Sequence, residues 1–282
     1  MNENSREEKK EALEVNSISF TYEGDGEIPE GNEKPVFQDL SLSLPAKVVS
    51  FLGQNGTGKS TLLLLASARL LPQQGEIFLF GQRTADISRK AEEEKNRYAS
   101  FIYQNMEFET EEPIGDLLEW IHANGFWDKK DPGFINTLIS NLDLSSILTK
   151  KTQEISKGEL QRTIVAFSLL YGSKSIMMDE PIFAMEDHHK ERTMGFLTEF
   201  AQEYQIPVYY SVHELEISRR YSELVLLFYK DGRIRLVESG ELQNKALLEE
   251  IYEIPYQMLH KKEQLFREQI KAVQEEFRLK RE

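Results

Sequence analysis

The chain has 282 residues, with 34 Lys or Arg against 48 Asp or Glu and a formal net charge of −14. Hydrophobic residues make up 40 % and charged residues 29 %, a composition that supports a packed core and excludes a disordered chain. The acid excess argues against a nucleic-acid partner, and the absence of cysteine removes disulfides, thiolate metal sites and thiol nucleophiles.

Taken in chain order, residues 1–12 are charged and aperiodic and read as a flexible N-terminus. No apolar stretch follows them as a secretory signal would require, and no run approaches the roughly 20 apolar residues of a membrane span. The expected location is therefore the cytoplasm. Residues 13–22 are β-rich. Residues 23–34 (EGDGEIPEGNEK) form a Gly-rich acidic stretch that reads as a solvated hairpin connection. Residues 37–44 alternate over their second half like a half-buried strand. Residues 47–52 read as a short apolar strand, followed by a Gly-rich turn and a helix from Lys59 to about Leu71. Strands are expected at 75–80 and 98–103, with a helix at 91–96 between them.

The pattern then changes. Over 113–150, Leu117, Leu118, Trp120 and Ile121, and then Phe134, Ile135, Leu138, Ile139 and Leu142, recur at helical spacing. Asp131-Pro132-Gly133 reads as a break between them. This is a small all-helical insert. A helix is expected at 158–170, a buried strand at 175–179 and a helix at 186–202. Strands follow at 208–212, 224–229 and 233–237, the last two joined by a Lys-Asp-Gly turn. Strands separated by helices predict an α/β sheet covered on both faces. In the tail, Leu259, Phe266, Ile270, Val273 and Phe277 are spaced as a heptad seam. It suits either an amphipathic helix on its own domain or a contact with a second subunit.

Gly53-Gln54-Asn55-Gly56-Thr57-Gly58-Lys59-Ser60 fits G-x-x-x-x-G-K-[ST] without mismatch, after an apolar strand and at a helix start. Its glycines let the backbone wrap a phosphate, and its amides and helix N-terminus face anionic oxygens. Lys59 would reach the β- and γ-phosphates, and Ser60 would ligate Mg²⁺. A second motif, Ser175-Ile-Met-Met-Asp179-Glu180-Pro181, ends an apolar strand on two acids, which are costly there unless they meet a cation. Asp179 would hold Mg²⁺ through water, and Glu180 could act as a general base on an attacking water.

Between these motifs stands Ile155-Ser156-Lys157-Gly158-Glu159-Leu160-Gln161-Arg162. It resembles the signature of the ATP-binding cassette (ABC) ATPases, usually Leu-Ser-Gly-Gly-Gln/Glu followed by Gln-Arg. The resemblance extends from about residue 13 to 240. It implies an ABC-type P-loop NTPase fold: a mixed, mostly parallel sheet flanked by helices, an antiparallel β portion, and a helical subdomain at about 105–155. Residues 241–282 would form a C-terminal helical tail. The resemblance also implies that Tyr22 stacks on adenine, with Phe20 as the fallback, and that Gln104 touches Mg²⁺ and senses a membrane partner. His213 would contact the γ-phosphate. Asn55, Gly56, Thr57, Gly58 and Thr61 would line the nucleotide, and Ser156, Gly158 and Glu159 would approach it from a second subunit packed head to tail.

Two positions depart from the family pattern. Lys157 replaces a glycine of the signature, and Glu186 stands where the segment after the Glu-Pro pair usually carries Asp. The acidic segment 107–112 reads as an acidic surface loop or as a docking edge, and His188-His189 read as solvated side chains. The function implied is an ATPase, using ATP and Mg²⁺, that energises a membrane transporter whose permease lies on separate chains. A soluble ABC ATPase of cofactor or cluster assembly is the alternative. Lys59 and Asp179 are only 120 positions apart, which leaves no room for the long coiled coil of chromosome-repair relatives.

Overall fold

The computed structural model describes residues 11–22 and 34–259. The greater part of the 23–34 loop, the segment before Glu11 and the tail positions Phe266, Ile270, Val273 and Phe277 lie outside them.

Among the described residues, ten strands form two sheets. The antiparallel sheet has the order β2-β1-β4-β5, from β1 (Glu11–Phe20), β2 (Phe37–Pro45), β4 (Gln74–Leu79) and the two-residue β5 (Gln82–Arg83). β1 opens two residues before the expected Leu13 boundary, because Ala12 is already buried. The second sheet has the order β10-β9-β3-β8-β7-β6, from β3 (Val48–Gly53), β6 (Ser100–Ile102), β7 (Ile176–Met178), β8 (Val208–Ser211), β9 (Leu224–Phe228) and β10 (Ile234–Glu238). All its pairings are parallel except β9–β10.

Strand periodicity explains why this sheet can be covered on both sides. Val48 and Leu52 of β3, Tyr210 of β8 and Met178 of β7 enter one core, whereas Val49, Phe51, Tyr209 and Met177 enter the other. The second core lies against the antiparallel sheet and α1 (Lys59–Ala66). The first is covered by α4 (Ile114–Asn124), α5 (Pro132–Asn141), α6 (Lys157–Leu170), α7 (Asp187–Tyr204), α8 (Leu215–Tyr221) and α9 (Lys245–Tyr252). Two short helices, α2 (Thr84–Ser88) and α3 (Glu92–Tyr98), connect the sheets. Leu242, Leu247, Leu248, Ile251 and Leu259 all join the first core, so the described part of the C-terminal region packs on the cassette itself.

Local chemistry adjusts several expected boundaries. α1 stops at Ala66 rather than near Leu71: the Ser67 hydroxyl donates to the Leu64 carbonyl and Ala68 takes a left-handed φ of 61°. Asp131-Pro132-Gly133 is the start of α5 rather than a mere break. Asp131 caps it by accepting the Gly133 amide at 2.9 Å, and Pro132 occupies a first-turn position that needs no amide donor. Pro113 is the N-cap residue of α4. That helix buries Ile114, Leu118 and His122 at a spacing of four.

Candidate nucleotide site

The phosphate loop joins β3 to α1. Gly58 has φ 98°, and a β-carbon there would lie 2.8 Å from the Phe37 ring, so neither the backbone nor the space admits a side chain. The Thr57 hydroxyl closes the loop onto the Gln54 carbonyl at 2.8 Å. Lys59 is 6 % exposed and its ammonium donates to the carbonyls of Gly53 and Gln54, both at 2.9 Å. Burial pushes this ammonium below its usual range, opposed by the fields of Glu180 and Asp179. An anion placed against the loop would stabilise the charged form. Gln54 also donates to the Ile251 carbonyl of α9 at 3.3 Å, which ties the loop to the C-terminal region.

Tyr22 stands beside this loop. Its hydroxyl is 3.1 Å from that of Thr61 in α1, and its half-exposed ring meets Phe20 edge-on at 5.0 Å. Phe20 itself is buried, which leaves Tyr22 as the ring with an open face.

β7 delivers the two acids. The Asp179 amide donates to the Ile102 carbonyl at 2.8 Å and the residue is 8 % exposed. Glu180 takes a left-handed φ of 50°, and its carboxylate lies 2.7 Å from His213 Nε2. Ser211, the last residue of β8, links the pair: its hydroxyl donates to Asp179 Oδ1 at 2.5 Å and accepts the Glu180 amide at 2.9 Å. Sequence reading missed Ser211, since a serine ending an apolar strand carries no motif; its position two residues before His213 is the one signal available.

Among the described residues, two expected groups make no hydrogen bond or ion pair with the phosphate loop or with the two acids. Gln104 lies exposed in the turn after β6. Among the described residues, no hydrogen bond or ion pair joins residues 156–159 to the phosphate loop. Those residues are instead tied to their own subunit. Ser156 caps α6 with Glu159: the Glu159 carboxylate accepts the Ser156 amide at 2.7 Å, and the Ser156 hydroxyl accepts the Glu159 amide at 3.3 Å. Burial disfavours the Glu159 carboxylate, but the hydrogen bonds from Ser156 and the charges of Lys150 and Arg162 outweigh it, so its pKa is lowered. A β-carbon on Gly158 would come 2.9 Å from the Ala184 carbonyl, and Gln161 Oε1 accepts the Ala184 amide at 2.8 Å. The start of α6 and the segment after Pro181 are thus pressed together.

The departing Lys157 pairs with Glu107 at 2.8 Å, and Lys151 pairs with Glu111 at 3.1 Å. The Thr152 hydroxyl donates to the Phe108 carbonyl at 2.6 Å. The acidic segment is therefore laced to the residues around α6's start, while the Glu107 and Glu111 side chains stay exposed. Glu186 is the N-cap residue of α7, 3.6 Å from His188 Nδ1. His188 is exposed as expected, but His189 is largely covered and its Nδ1 is buried without a hydrogen-bond partner.

Residues 37–183 match the family described as ABC transporter. The chain belongs to that family. It is an ATP-binding subunit and an ATPase. It is 28 % identical to the petrobactin import ATP-binding protein YclP of Bacillus subtilis (strain 168), over 88 % of this chain and 96 % of that one. It is 32 % identical to the molybdenum import ATP-binding protein ModC of Aliivibrio fischeri (strain ATCC 700601 / ES114), over 72 % of this chain and 54 % of that one. A dimeric post-hydrolysis structure of the ATP-binding cassette MJ0796, bound to ADP and Pi, shares the fold. Its TM-score is 0.68 at 18 % identity, over 80 % of this chain and 98 % of that one. No helix among the described residues is long and apolar enough to cross a membrane.

Proposed function

We propose that this chain is the cytoplasmic ATPase of an import system, bound to the inner face of the membrane through a permease on separate chains. ATP would lie on the phosphate loop, with its adenine against Tyr22 and its phosphates among Gly56, Gly58, Lys59, Ser60 and Thr61. The observation that carries the catalytic assignment is the Glu180–His213 contact at 2.7 Å, which holds one carboxylate oxygen beside the loop lysine's surroundings. Glu180 would draw the proton from the attacking water, and His213 would hold Glu180 and meet the γ-phosphate.

Mg²⁺ fits the donors available. The Ser60 hydroxyl, the Asp179 carboxylate and the Gln104 amide oxygen are hard oxygen ligands, and the Asp179 carboxylate is buried beside a neutral hydroxyl donor. When bound, the ion would neutralise phosphate charge. The separation of residues 156–159 from their own phosphate loop supports a head-to-tail pair, in which the α6 start of one subunit completes the site of the other. Two ATP would close the pair, and hydrolysis would open it.

Glu180→Gln tests the base. Turnover of MgATP should fall by at least about 100-fold while ATP binding persists; turnover at the parent rate would show the assignment to be wrong. Purification of the tagged chain from detergent-solubilised native membranes tests the partner. Recovery without any polytopic protein would sink the transport reading and favour a soluble ATPase of cofactor assembly.

A further inference from the structure

Lys190 stands in the first turn of α7, and its side chain is 3 % exposed. Its ammonium donates to Glu214 Oε1 at 2.5 Å. Glu214 is the N-cap residue of α8 and follows His213 directly in the chain. One largely buried ion pair thus adjoins the histidine that holds Glu180.

Such a pair is a weak source of net stability, because desolvating both charges offsets their attraction and an apolar pair of similar volume packs as well. Nor is it needed to dock α8 on α7. At the other end of α8, the Thr198 hydroxyl donates to the Tyr221 carbonyl at 3.1 Å, Arg220 pairs with Glu191 at 2.5 Å, and the Tyr221 hydroxyl donates to Glu191. A short, directional contact at Glu214 does something these cannot. It fixes the chain at the residue next to His213, and so fixes the imidazole relative to Glu180. The lysine comes from the helix that begins right after Glu186, so the same contact joins the segment following Pro181 to the histidine.

We infer that Lys190 and Glu214 are positioning residues for ATP hydrolysis, acting through His213 on Glu180. The inference rests on the reading of Glu180 and His213 given above. It is tested in the full chain with the paired variant Lys190→Met/Glu214→Leu, with His213→Ala, and with all three changes together. Each is measured for MgATP turnover, for affinity toward a fluorescent ATP analogue, and for Tm. The paired variant removes both charges of this ion pair together. Its kcat should fall on the order of tenfold with nucleotide affinity within about twofold, and it should add nothing in the His213→Ala background. Parent-like kcat in the folded paired variant, or a loss that adds in full to that of His213→Ala, would overturn the inference. Should the paired variant fail to fold, Glu214→Gln, close in shape, is judged by the same two criteria. If His213→Ala alone turns over ATP at the parent rate, the reading of the site itself fails; an impaired His213→Ala beside a parent-like paired variant removes only the link through Lys190.

Discussion

Ser211 donates to the Asp179 carboxylate at 2.5 Å and takes the Glu180 amide at 2.9 Å, so one hydroxyl from β8 sets both acids that end β7. Ser211→Ala strips a donor from a buried carboxylate and an acceptor from a buried amide. The expected cost is about 1–3 kcal/mol, read in urea unfolding. Turnover should fall with it, because Glu180 loses the contact that holds its left-handed backbone. An unchanged midpoint would show that water replaces the hydroxyl.

Gly158 faces the Ala184 carbonyl with no room for a methyl group. Gly158→Val should force α6 away from that segment at a cost of about 1–3 kcal/mol. The loss of MgATP turnover should exceed the loss of ATP affinity, since the phosphate loop is not touched. Equal losses would indicate general unfolding.

Lys157 and Glu107 form an exposed pair. Exposed pairs contribute roughly 0–1 kcal/mol, so Lys157→Ala should shift the thermal midpoint little. A large drop would mean that the lacing between 107–112 and 151–157 depends on this one contact.

Burial, with the charge of Lys130, lowers the pKa of His122. Burial, with Arg162 and His188, lowers that of His189, against the opposing acids Asp131 for the first and Asp143 and Glu186 for the second. The unfolded chain therefore takes up these protons first as pH falls through the ordinary value of 6.5. Stability is complete above that value and declines below it. His122→Asn together with His189→Asn should flatten the fall in Tm between about pH 7 and about pH 5. An unaltered slope would place the acid sensitivity elsewhere.

What could be read in the sequence was what is local along it. The loop from Gly53 to Ser60, the Asp179-Glu180 pair and the helical insert each sit within a few consecutive turns or one strand, so the local pattern alone locates them. The partners that hold them do not. Ser211 lies 32 positions from Asp179, inside a strand whose apolar pattern hides it. Glu214 meets a lysine from another helix, and the ring of acids after Gln104 looked free because the lysines that bind it come some 40–50 positions later. The mistaken break at Asp131 has a similar cause: proline and glycine stop one helix and start the next with the same residues, and only the Asp131 cap tells which.

The placement of β3 also has a consequence for how the molecule is made. This strand carries the phosphate loop, yet its two neighbours are β8 and β9, with Val48 paired to Val208 and Val49 to Leu224. A growing polypeptide can pair β1 with β2 early, but β3 gains its first neighbour only after synthesis has passed Ser211 and its second only after Phe228. Non-local parallel pairing of this kind forms slowly and leaves apolar edges open in the meantime. The capacity to grip a nucleotide thus arises late in biogenesis, and a nascent chain arrested before β8 would carry the complete loop sequence without a neighbouring strand to hold it in shape.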